Sequence, residues 1–240
     1  MMKKSIYALL AAALFYSACF NPKKYDDITP MGLIAISSSD STTAADGSGS
    51  YVVNAEVLDK KADAGKRTIV FKTTMGTFKG GSDSIAVVAD ANFQCSAKLT
   101  SVKAGKATVT AKIQNITALK TPSVTFTTAF PSKVTVAVDS FSVKNDNRSE
   151  TLVTATLGTA SGGVPSVGTT VTFTATDNLG TMVGTFLNNI STGNTDANGQ
   201  VKLRYAPINT PYTGYLTFTA TSTDADGKPV LGTTRIFITK

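Results

Sequence analysis

The chain of 240 residues contains no histidine and no tryptophan, two cysteines (Cys19 and Cys95) and two glutamates (Glu56 and Glu150). Without an imidazole, Ser-His and Cys-His nucleophile activation is excluded, along with most zinc and iron sites. Aspartate supplies the other acids, mainly in turn-like contexts. No pair of carboxylates stands out as the acid and base of a glycosidase. The 23 basic residues are scattered, with no run longer than the pairs Lys23-Lys24, Lys60-Lys61 and Lys66-Arg67. They lack the interleaved aromatics of a nucleic-acid groove and read as solvated faces. No stretch after residue 20 has helical periodicity. Catalysis, a cofactor, a metal centre and a nucleic-acid partner are therefore not expected, and the chain reads as all-β.

What is present is alternation between turns. Asp196-Ala197-Asn198-Gly199 is a turn signal, and Gln200 to Tyr205 after it alternates polar and apolar with period two, as a half-buried strand does. Pro207 to Thr213 cannot continue a strand. Gly214 to Thr221 then resumes the alternation, with Leu216, Phe218 and Ala220 on one face. The same unit occurs about one hundred residues earlier. Val53, Ala55 and Val57 match Val153, Ala155 and Leu157 at a spacing of 100, and Phe71 matches Phe173 at 102. Gly105 to Ala111 matches Gly214 to Ala220 at 109, and Val124 and Phe126 match Ile236 and Ile238 at 112. The spacing grows only between strands, where insertions cost little core. Two domains of ordinary size follow, each able to bury its own core.

The first residues form an export signal. Lys3-Lys4 is a positive start, Ile6 to Phe15 an apolar run too short for a comfortable membrane span, and Ser17-Ala18 places small residues before Cys19. Removal of Lys3 and Lys4 with the leader lowers the net charge from +7 to +5. Tyr16 to Cys19 resembles the lipobox of bacterial lipoproteins, with Tyr16 where an aliphatic residue is usual. The resemblance implies a signal peptide over 1–18, acylation of Cys19, and membrane attachment through two or three acyl chains. An ordinary signal peptide cut elsewhere is the alternative. Residues 19–30 read as a tether. Within it Lys23 to Asp27 is similar to the charged motif that directs some lipoproteins to the cell surface, a solvated linker being the other reading.

Seven short strands per hundred residues, with turns every 8 to 12 positions, is the pattern of an immunoglobulin-like sandwich. The expected architecture is two tandem immunoglobulin-like β-sandwiches, over 31–130 and 131–240, joined at Phe130-Pro131-Ser132 with room for some bending. In the second, Val153, Ala155, Val171, Phe173, Gly180-Thr181, Asp196 to Gln200, Gly214, Thr217, Thr219 and Ala220 resemble the group 1 bacterial immunoglobulin-like domain of the intimin and invasin adhesins. In the first, Phe93 stands where that pattern has a turn glycine, so a different turn is expected there. The resemblance covers nearly everything after Pro30 and implies an adhesive or spacer module without naming a ligand.

Candidate sites are few. Cys95 aligns with Val201 on an inward face and is expected to be buried and unreactive. Asp196-x-Asn198-Gly199 and Asp224-x-Asp226-Gly227 space oxygens as calcium loops do, but lack a downstream glutamate and are favoured as plain hairpin turns. Phe71, Phe173, Phe218 and Phe237 read as core or strand residues, leaving Tyr212 as the ring available for stacking. If the chain climbs from an N-terminal anchor and strands alternate, the loops after the first, third and fifth strands of the second domain lie farthest from the membrane. They carry Phe141, Arg148, Asn209 and Tyr212, the candidate contacts for a protein or glycan ligand, on the order of 60 to 80 Å out. The function expected is a monomeric, non-enzymatic, lipid-anchored envelope protein serving adhesion or spacing. The alternative is an accessory binding subunit of an envelope transport, polysaccharide-capture or secretion complex. The location expected is the outer membrane, at the surface or facing the periplasm, with a secreted protein as the other possibility.

Overall fold

The computed structural model describes residues 33–38, 41–208 and 210–240. The expected leader, the tether with Cys19, and Asn209 lie outside the described residues. The rest folds as two tandem immunoglobulin-like β-sandwiches. The first is built from β1 (Ile34–Ser38), β2 (Thr42–Ala44), β3 (Tyr51–Val57), β4 (Thr68–Thr73), β5 (Ser84–Val88), β6 (Gln94–Leu99), β7 (Gly105–Ile113), β8 (Ile116–Thr117) and β9 (Ser123–Thr127). Its sheets run β1-β3-β6 and β2-β9-β7-β4-β5, with β8 paired to β7. The second contains β10 (Lys133–Val138), β11 (Ser142–Lys144), β12 (Thr151–Gly158), β13 (Thr170–Thr176), β14 (Thr185–Phe186), β15 (Thr192–Asn194), β16 (Gln200–Ala206), β17 (Gly214–Thr223) and β18 (Pro229–Thr239). Its sheets run β10-β12-β16-β14 and β11-β18-β17-β13-β15.

The sequence repeat is a repeat of the core. Val53, Ala55 and Val57 face inward with Phe71, Val109 and Phe126 in one cluster, and Val153, Ala155, Leu157, Phe173, Phe218 and Ile238 do so in the other. Period-two alternation puts these side chains on one face of each sheet, and each large one withdrawn from water contributes about 2 kcal/mol. Strand boundaries depart from expectation where positive φ intervenes. The sequence of Thr181 to Leu187 reads as one strand, yet it yields only β14, because Gly184 (φ 64) precedes it and Asn188 (φ 61) and Asn189 (φ 55) follow it. Positive φ is incompatible with extended pairing.

One difference between the two cores is a hydroxyl. Tyr205 packs edge-on against Phe218, with ring centroids 4.9 Å apart, and its Oη donates to Val183 O at 2.7 Å. Tyr51, equally buried, has no hydrogen-bond partner for its Oη. Tyr205→Phe strands a buried carbonyl and is expected to cost about 1–2 kcal/mol, whereas Tyr51→Phe removes an unsatisfied group and is expected to be neutral or stabilising. Urea unfolding of the two variants checks this, and a loss of stability in Tyr51→Phe would contradict it.

The junction is not the loose hinge its three residues suggest. The connection between β12 and β13 reaches back onto the first sandwich. Val164 N–H donates to Asp46 O at 3.0 Å, Ser166 N–H to Ala129 O at 3.0 Å and Val167 N–H to Val102 O at 2.8 Å. Ser166 Oγ donates to Ala45 O at 3.1 Å and accepts from Ala129 N–H at 2.9 Å, and Ser161 Oγ donates to the Asp46 carboxylate. Asp46 is only 3% exposed. Burial works against its ionisation, but hydrogen bonds from Gly49 N–H, Ser161 and Ser48 outweigh it and hold the carboxyl below its ordinary value. Six contacts spread over four segments replace bending with an interlock.

Candidate recognition face

The joint fixes which end of the second sandwich is which. Lys133, Gly158, Thr170, Gln200, Thr223 and Pro229 are strand ends on the side of the first sandwich, as the registers of β10, β12, β13, β16, β17 and β18 require. Val138, Thr151, Thr176, Ala206, Gly214 and Thr239 lie at the other end, so the connections 139–150, 177–184, 207–208 and 210–213 cluster away from the joint. The Asp196 and Asp224 turns sit on the joint side.

Phe141 and Arg148 are both exposed there, Phe141 at 69%. Arg148 rides on a turn in which Asp146 Oδ1 accepts from Arg148 N–H at 3.0 Å and Ser149 N–H at 2.7 Å. These hydrogen bonds keep the Asp146 carboxyl below its ordinary value. The turn copies the one at Asp46, where Oδ1 accepts from Ser48 N–H at 2.9 Å and Gly49 N–H at 2.7 Å. In one sandwich it is clamped by the next; in the other it faces solvent.

Tyr212 is not a presented ring. It is half-buried against the core of the second sandwich, and its Oη donates to Tyr215 O at 2.6 Å, closing the corner into β17. Asn145 Nδ2 donates to Thr210 O and Tyr212 O from the other side. The stacking surface expected at Tyr212 lies instead on Tyr215 and Phe237, which are 55% and 40% exposed. They are register partners on β17 and β18, with rings edge-to-face at 5.0 Å and 79°. Phe237 N–H donates to Phe141 O at 2.8 Å, which brings the third exposed aromatic alongside. Alternation places Phe237 opposite to the buried Ile236 and Ile238, and that signal was available in the sequence.

The aspartate turns at 90, 177, 196 and 224 share one geometry. In each, Oδ1 accepts N–H groups two and four residues on, at 2.8–2.9 Å. Phe93, at φ 65, does what Gly199 does at φ 69, so the turn expected to differ is the same turn. The cost of about 1 kcal/mol for a left-handed non-glycine residue is offset by cover: the Phe93 ring lies under Arg67 at 4.1 Å and Lys60 at 5.1 Å. No cluster of three metal-ligating side chains occurs among the described residues.

Cys95 is half-buried rather than buried, because it is the second residue of β6, at the rim of the core, while Ala97 and Leu99 reach the interior. Burial, and secondarily the Asp90 charge, pushes its thiol up to about 11. At pH 7.5 a maleimide is expected to modify Cys95 at least tenfold more slowly in the native protein than in 6 M guanidinium. Equal rates would mean that the thiol is neither shielded nor raised.

No protein-family model matches the sequence, and no curated protein matches it. Among solved structures the chain is similar to invasin, described as a bacterial integrin-binding protein. The TM-score is 0.51 at 19% identity over 83% of this chain and 38% of that one. It is also similar to the Yersinia pseudotuberculosis adhesin InvE, with TM-score 0.46 and 19% identity over 87% of this chain. The chain spans 59% of InvE's length. At these identities the likeness is one of fold: tandem immunoglobulin-like sandwiches of the kind found in bacterial adhesins.

Proposed function

We propose that the protein is a non-enzymatic, lipid-anchored module of the bacterial cell envelope that holds out the far end of its second sandwich for adhesion. The observation that carries this reading is the interlocked joint. A spacer that presents a face must resist folding back, and the Asp46, Ala129 and Val102 contacts give it that stiffness. Support comes also from the Ser17-Ala18-Cys19 leader and from the invasin-like fold. Exposed Phe141 and Arg148 at the remote end supply an aromatic and a cationic contact of the kind enriched in recognition surfaces.

Two measurements test it. Cys19→Ser is expected to abolish incorporation of labelled fatty acid and to release the protein from membranes; a wild type that takes up no label overturns the anchor. Beads coated with the protein are expected to adhere to surfaces bearing matrix proteins or glycans, and Phe141→Ala with Arg148→Ala to reduce that adhesion. Unchanged adhesion by a folded double variant overturns the assignment of the remote end.

A further inference from the structure

The outer face of the β11-β18-β17-β13 sheet carries more than exposed rings. Tyr215 and Phe237 stand side by side at its remote end, and the next cross-strand row is Arg235, Thr217 and Thr176. The Arg235 guanidinium lies 5.9 Å from the centre of the Tyr215 ring. It is held by Nε donating to Thr217 Oγ1 at 3.3 Å and Nη2 donating to Asn178 Oδ1 at 3.1 Å. Its remaining N–H groups have no protein partner among the described residues, and no carboxylate pairs with it there. Behind the rings the face is laid with hydroxyls: Thr217, Thr219 and Thr221 on β17, Thr172 and Thr174 on β13.

We infer that this platform binds an acidic polysaccharide, a sugar ring seated in the corner between Tyr215 and Phe237, flat on one ring and against the edge of the other, while its carboxylate pairs with Arg235. Each part of the surface selects for one feature of such a ligand. The negative face of an aromatic ring attracts the weakly positive C–H groups along one side of a pyranose. A planar guanidinium fixed by two neighbours, with free N–H groups, matches a carboxylate bidentately. Flat rows of threonine hydroxyls exchange hydrogen bonds with sugar hydroxyls. Leu231, 58% exposed opposite Thr221, interrupts these rows. Charge agrees: Lys144, on the strand beside β18, adds a second cation. The Asp146 carboxylate, held ionised by its turn and by Lys144, balances part of that charge, and Asp177 accepts from its own turn.

The inference rests on the adhesive reading and narrows it to a ligand class. The test is biolayer interferometry of the full-length protein in detergent, at 0.15 M NaCl, against immobilised polygalacturonate, alginate and hyaluronan. Dextran serves as the neutral control and dextran sulfate as the polyanion control. Binding is expected to at least one carboxylated glycan, with Tyr215→Ala and Phe237→Ala each weakening it about tenfold and Tyr215→Trp retaining it. Arg235→Gln is expected to erase the preference over dextran. All three side chains are at the surface, so circular dichroism should not change. No binding to any carboxylated glycan overturns the inference, as does binding that the ring variants leave intact or that dextran sulfate matches without regard to the rings. Adhesion to a protein-coated surface without glycan binding also overturns it, yet leaves the adhesive reading standing. Loss of the anchor alone affects only that reading.

Discussion

Replacing Gly163 with valine is expected to free the two sandwiches from each other without unfolding either. A Cβ built on Gly163 falls 2.3 Å from Asp46 O and 3.0 Å from Asp46 Cγ, against backbone that cannot swing aside. The loop must retreat, and the contacts of Val164 and Ser161 to Asp46 go with it. Neither core includes a residue from the opposite sandwich, so each should retain its thermal transition. The measurement is a distance distribution between spin labels on β5 and β14, narrow in the wild type and broad in the variant. A distribution as narrow as the wild type's would show that the joint is held elsewhere. Acid should mimic the substitution. The folded pKa of Asp46 lies below the ordinary 3.8, so its contribution is complete above that value and disappears as pH falls through the folded value. The distribution should therefore broaden only below about pH 4, and Asp46→Asn should remove that dependence.

Phe218→Ala is expected to destabilise the second sandwich by about 3–5 kcal/mol while the first keeps its midpoint. Phe218 is wholly buried and touches two other rings, Tyr205 at 4.9 Å and Phe186 at 6.1 Å. Phe186 extends the cluster to Phe173 at 5.8 Å. Truncation leaves a hole that rings held by their own strands cannot fill, so the cavity adds to the lost transfer energy. Guanidinium unfolding followed by tyrosine fluorescence should resolve an earlier transition for the second sandwich. A single unshifted transition would mean that the cluster contributes little.

The core was readable before the structure because alternation is a local property. Val53 and Val153, Ala55 and Ala155, Val57 and Leu157, Phe71 and Phe173, Val124 and Ile236, and Phe126 and Ile238 are buried at both members. Strands β2, β8, β11 and β15 were not readable. They have two or three residues each and exist because a neighbouring edge offers hydrogen bonds, not because their own pattern demands it. The interlock was invisible for a stronger reason: Asp46 and Asp146 form the same turn, and only a partner 115 residues away distinguishes their roles. Tyr212 misled in the opposite way. Proline-flanked and polar in context, it suggested exposure, yet its hydroxyl closes a corner on a carbonyl three residues on. The platform fell between these cases, since the alternation that buries Ile236 and Ile238 also turns Arg235 and Phe237 outward.

Each sandwich also joins an early strand to its last strand in parallel: β2 to β9 through Thr42 and Thr125, and β11 to β18 through Ser142 and Phe237. A pull on the two ends of either sandwich drags such a pair in opposite directions along its length. The hydrogen bonds then bear the load in shear, several at once, instead of parting one by one as a hairpin peeled from its tip would. Tension between an anchored base and a tethered far end would therefore meet its greatest resistance at β2-β9 and β11-β18. The hairpin between β17 and β18, although it has the longest ladder in the fold, would carry almost none of that force.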